Sequence, residues 1–116
     1  MKSNNIVLEK SYAFAIRIVK CYQYLTDEKR EFVLSKQLLR CGTSIGANVE
    51  EAVGGYSRKD FSSKLSIAYK EARETGYWVR LLRDTQIIDE KIAQSLLTDI
   101  EELLRIIGSI MKSMKD

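Results

Sequence analysis

Ser44, Asn48 and Glu51 are separated by four and three residues, so on a helix they share one side, with Thr43 beside Ser44. A hydroxyl, an amide and a carboxylate grouped in this way can form one hydrogen-bonded network or hold a polar ligand. Their neighbours Ile45 and Val49 put that side at the border of a core, where polar groups cost free energy unless they are bonded. Partners are therefore required, and Lys or Arg from a facing helix is the natural supply. Two readings follow: a structural cluster that sets helix register, or a small-ligand or catalytic site around Asn48 and Glu51.

A second group has the makings of a polyanion site. Lys70, Arg73, Tyr77 and Arg80 recur at spacings of three, four and three, which places three cations and an aromatic on one helix side. From Arg58 to Arg83 the cations are Arg58, Lys59, Lys64, Lys70, Arg73, Arg80 and Arg83, against only Asp60, Glu71 and Glu74. Such a face can hold phosphates by counterion release and stack a base on Tyr77. Lys36 and Arg40, four apart on the preceding helix, are weaker candidates. Exposed Lys and Arg can equally be solvated surface, neutralised in part by Glu71 or Glu74. Nothing in the chain suggests base-specific reading.

Catalytic chemistry finds little support. Histidine is absent, which removes the usual general base near neutral pH and the commonest transition-metal ligand. Glu50, Glu51, Glu71 and Glu74 could suggest a dinuclear metal site in a helix bundle, but that site also needs Glu-x-x-His on two helices. Gly42-Thr43-Ser44-Ile45-Gly46 lacks the Gly-Lys-Ser/Thr ending of a phosphate loop and lies inside a helical pattern. The expectation is a non-enzyme with no metal and no cofactor. Cys21 and Cys41 read as buried free thiols, which points to a reducing, cytoplasmic setting. Neither a cleavable leader nor a membrane-length apolar run is visible. The net charge of +3 permits an anionic partner without requiring one.

Four apolar seams must position these groups. The 116 residues contain no proline, and 45% are hydrophobic, enough for one domain with one core. Leu8, Tyr12, Ala15, Val19, Tyr22 and Leu25 predict a helix from about Asn5 to Leu25. Thr26-Asp27-Glu28 offers a cap for a second helix starting near Asp27, with the seam Leu34, Leu38, Cys41, Ile45, Val49 and Ala52. Gly54-Gly55 should end it in a left-handed turn, and Ser57 should cap a third helix from about Arg58 to Asp84. That helix carries Phe61, Leu65, Ala68, Ala72, Thr75, Val79 and Leu82 inward. After a turn from Asp84 to Asp89, the fourth carries Ala93, Leu96, Ile100, Leu103, Ile107, Ile110 and Met114. Short connections make neighbours antiparallel, so the predicted fold is all-α, an antiparallel up-down four-helix bundle spanning 1–116. Ile92, Leu97, Leu104 and Met111 form a second stripe on the fourth helix, read as an oligomer interface. Gly42 and Gly46, four apart, would let another helix approach closely.

The run from Gln37 to Ala52, QLLRCGTSIGANVEEA, resembles the signature of the S23 family, four-helix bundle proteins encoded in intervening sequences of bacterial 23S ribosomal RNA genes. Phe61 and the run from Leu65 to Leu82 are similar to the same family's third-helix pattern. The resemblance implies a bundle assembling as a closed ring of five subunits. It also implies kinship with the accessory variability determinant of diversity-generating retroelements, which binds nucleic acid and a reverse transcriptase. Many members carry glycine where this chain has Ala52, so its second helix is expected to end later, at Gly54-Gly55. The leading expectation is a non-enzymatic homopentamer that binds RNA, or adapts RNA to a nucleic-acid-processing protein, through the basic third helix. The alternative is a structural or protein-interaction module without nucleic acid, presenting surfaces such as Asp99, Glu101 and Glu102.

Overall fold

The computed structural model describes residues 2–115, with side chains from Asn4 onward. Four helices follow in order: α1 Lys2–Asp27, α2 Leu34–Val53, α3 Arg58–Asp84 and α4 Glu90–Met114. They run up and down in an antiparallel bundle of 45 × 20 × 19 Å. α2 packs against both α1 and α3, and α4 against α3, while α1 meets α4 more sparsely.

The expected seams of α2, α3 and α4 are the buried ones except at one end of each, where Leu34, Phe61 and Met114 are half-buried. Leu38, Cys41, Ile45, Val49 and Ala52 of α2 are enclosed, as are Leu65 to Leu82 at heptad spacing on α3 and Ala93 to Ile110 on α4. Ser57 caps α3 as expected, its Oγ accepting from the Asp60 N–H at 3.0 Å, and α2 stops at Val53, just before Gly54-Gly55. α4 has a cap that its sequence was not read for: Asp89 Oδ1 accepts from the Ile92 N–H at 2.7 Å.

α1 differs from its expected seam by one residue of register. Its inward line is Val7, Ser11, Phe14, Ile18 and Leu25, with Cys21 half-buried. Tyr12 and Val19, expected inside, are 65% and 39% exposed. Two apolar stripes lie side by side on this helix, and a serine interrupts the one that is buried. Ser11 tolerates burial because its hydroxyl donates to the Leu8 carbonyl one turn back. The choice between stripes is made by α2, whose Gly42 and Gly46 leave room for Ile18 and Ser11.

The α1–α2 junction is a second correction. Thr26 does not cap α2; its hydroxyl bonds back to the Tyr22 and Gln23 carbonyls, and α1 continues through Asp27. Arg30, at φ 51°, takes the left-handed position, and the Glu31 N–H closes onto the Leu25 carbonyl at 2.9 Å. Gln86, at φ 65°, does the same between α3 and α4, whereas no glycine among the described residues has positive φ. The left-handed turn expected at Gly54-Gly55 is therefore not formed there; Gly54 has φ −85°.

α2 is capped from outside by Glu31, whose carboxylate accepts from the N–H groups of Val33, Leu34 and Ser35 at 3.2, 3.0 and 2.7 Å. Partial desolvation pushes this carboxyl up, but the backbone donors outweigh it and hold it below its ordinary value. A depressed carboxyl stabilises the fold above its unfolded pKa, and that contribution disappears as pH falls through the folded value. Glu31→Ala should cost about 1 kcal/mol at neutral pH. Chemical denaturation should show the gap between variant and parent closing as the pH is lowered below the usual carboxylate range.

Candidate nucleic-acid interface

Because α3 turns Leu65, Ala68, Ala72, Thr75, Val79 and Leu82 inward, its opposite side faces water. Lys70, Arg73, Tyr77 and Arg80 all lie on that exposed side. Among the described residues, none of these three cations enters an ion pair, whereas Arg83 is paired with Asp84 at 2.8 Å and Lys64 with Glu51 at 3.1 Å. Tyr77 is 50% exposed and stands edge-on to Trp78, with ring centroids 5.1 Å apart.

Arg73 and Arg80 also line a groove of about 440 Å³ between α3 and α4, floored by Gly76, Leu97 and Leu104, with Glu101 opposite. The second stripe of α4 is accounted for in part by this packing. Leu97, Leu104 and Met111 are half-buried against the core, and Ile92 is 36% exposed. The broader exposed apolar strip lies on α1 instead, where Tyr12, Ile16 and Val19 face outward. Two of its members, Tyr12 and Val19, belong to the stripe expected in the core, whereas Ile16 does not.

Lys36 is exposed on α2, but Arg40 is committed elsewhere. Its guanidinium meets Glu71 Oε2 at 3.4 Å and also Glu74 Oε2, the same oxygen that accepts from Trp78 Nε1 at 3.0 Å. Glu71 and Glu74, two of the four carboxylates weighed as a metal site, thus clamp α2 to α3 through Arg40. Arg58 and Lys59 are exposed at the start of α3, where Arg58 donates to the Met114 carbonyl at 2.8 Å.

The polar cluster is divided. Ser44 Oγ donates to the Arg40 carbonyl at 2.6 Å and Asn48 Nδ2 to the Ser44 carbonyl at 2.8 Å, both within α2. Thr43 likewise bonds to the Leu39 carbonyl. Only Glu51 crosses to a facing helix, meeting Lys64 of α3. The cysteines are both free, Cys41 buried and Cys21 half-buried. Burial raises both thiols above their ordinary value, and the Arg17 charge near Cys21 and a Thr75 contact at Cys41 offset only part of this. Protonated thiols of this kind are poor nucleophiles.

Sequence reasoning missed what joins α1 to α4. Arg17 reaches Asp99 at 2.6 Å and Ser95 Oγ at 2.9 Å, and Lys10 reaches Glu102 at 3.2 Å. Asp99 and Glu102, read as a surface for another protein, are occupied by these cations. No local spacing could signal pairs lying about 80 to 90 residues apart in the chain.

A family model described as 23S rRNA-intervening sequence protein matches residues 3–109. A crystal structure at 1.70 Å from Bacteroides thetaiotaomicron, of a protein with unknown function from the S23 ribosomal protein family, is 49% identical to this chain. It superposes with a TM-score of 0.93 over 95% of this chain and 98% of that one. No curated protein matches. Among the described residues, no helix is long and apolar enough to cross a membrane.

Proposed function

The chain belongs to the 23S rRNA-intervening sequence protein family, and from that premise we propose a non-enzymatic, self-associating module that holds RNA on the basic face of α3. The observation that carries this reading is the set Lys70, Arg73 and Arg80, exposed, unpaired among the described residues, and accompanied by half-exposed Tyr77. Cations already satisfied by carboxylates have little to offer a phosphate, whereas these three do. The pairing of Arg40 with Glu71 and Glu74 removes it from the first rank of contacts.

Self-association is supported by the exposed Tyr12, Ile16 and Val19 on α1, since apolar area of this kind gains by leaving water. The family resemblance suggests a ring of five, in which each copy would repeat the α3 face. Such repetition would raise the affinity for one long RNA well above that of a single protomer. Free cysteines fit a reducing cytoplasm. Partners of the assembled module would then be RNA and a protein that acts on it.

Salt dependence tests the reading. With three phosphates neutralised per protomer, affinity for single-stranded RNA should fall roughly 15- to 20-fold between low and near-physiological salt. Fluorescence anisotropy at several salt concentrations gives the slope. A flat slope would point instead to the protein-interaction reading, which the apolar strip of α1 also favours.

A further inference from the structure

Resting on the RNA-binding reading, we infer that the end of the bundle where the α2–α3 loop meets the end of α4 seats a single-stranded segment, with Tyr56 stacking one unpaired base. Tyr56 is 101% exposed, so its ring contributes no packing to the fold. A lone exposed aromatic is ordinary on a protein surface; what distinguishes this one is its place in the chain, two residues before α3, whose first turns line a groove. Immediately after it, Lys59, Ser62, Ser63 and Ser66 form one wall of a groove of about 740 Å³, with Lys115 and Met111 across it.

The chemistry of that groove suits a sugar-phosphate chain. Ser62, Ser63 and Ser66 present hydroxyls at one, three and four residues' separation along the wall. Some helical hydroxyls bond back to their own helix, as at Ser44 and Thr75. Among the described residues, the three groove serines make no such bond and stay open to an acceptor. Lys59 and Lys115 add charge on either side, and Arg58 ties the two walls together through the Met114 carbonyl at 2.8 Å. Asp60, the carboxylate of that turn, lies beside Gly55 rather than in the groove.

Single-stranded nucleic acid is favoured over a duplex for a physical reason. A stacking side chain needs a free base face, which a paired and stacked helix does not offer. Phosphate contacts alone would take either form. From Lys59 to Lys70 the rise along α3 is about 16 Å, so one strand can pass from this groove onto the mid-helix face.

Anisotropy with a labelled oligouridylate of roughly a dozen nucleotides and a duplex RNA of equal length tests the inference. Tyr56→Ala should weaken oligouridylate binding about tenfold and leave the duplex unaffected, while Tyr56→Phe should keep the parent affinity. Because the ring packs on nothing, both variants should retain parent circular dichroism. Equal oligouridylate binding by Tyr56→Ala and the parent would overturn this seat while leaving the α3 reading intact. Equal losses on both probes would also overturn it, since stacking would not be involved. A parent protein that binds neither probe would remove the RNA reading itself, and the seat with it.

Discussion

Reversing Lys70, Arg73 and Arg80 together to glutamate should abolish RNA binding and leave the helix content unchanged. The expectation has two parts with separate grounds. Binding should fail because three phosphate contacts become three repulsions, a change expected to exceed about 100-fold at low salt. The fold should survive because the three side chains are exposed and enter no ion pair among the described residues. Surface substitutions without partners usually change stability by less than about 0.5 kcal/mol. Electrophoretic mobility or anisotropy reads the first part and circular dichroism the second. Parent-like affinity in the triple variant would remove α3 from the site, whereas lost affinity with lost helicity would show that the residues support the fold.

Gly42→Ala is expected to destabilise the bundle by about 1 to 2 kcal/mol, enough to lower the melting temperature by about 5 to 10 °C. A Cβ at this position would lie 2.7 and 2.8 Å from the two Cγ atoms of Ile18 and 3.0 Å from its Cδ1. Ile18 is 0% exposed and branched at Cβ, so it has few rotamers to escape into. The overpacking outweighs the roughly 1 kcal/mol that alanine gains over glycine inside a helix. Gly76→Ala supplies the contrast. Its nearest neighbour is Ile100 Cγ2 at 3.8 Å, ordinary contact, so the helical gain should appear as a higher melting temperature. Two glycine substitutions of opposite sign would separate close packing from backbone propensity; if both raised stability, the tight α1–α2 contact would be refuted.

The relation between these two sites explains the division of labour in the molecule. Gly42 and Gly46 bring α1 against α2, and Arg40 with Glu71 and Glu74 holds α2 to α3. Charges on those inner surfaces are consumed in building the bundle. The cations on the outer side of α3 and around the start of that helix are left to face solvent, and they supply the proposed interface.

Much was readable from the chain itself: three of the four seams, the bundle topology, the extent of α3, and the cap at Ser57. These depend on interactions within a few residues, namely a 3.6-residue period and a side chain reaching its own backbone, so one sequence suffices to reveal them. The exposed basic strip was readable for the same reason, because a face opposite a known seam must look outward. Three things were settled only by packing: which of two adjacent stripes on α1 is buried, whether Arg40 is available, and which acidic residues of α4 are already paired. Each depends on what stands across the bundle, as with Ile18 at Gly42, Arg40 at Glu74 and Arg17 at Asp99. Partners that far apart in the chain are chosen by the geometry of close-packed helices, and local periodicity carries no record of that choice.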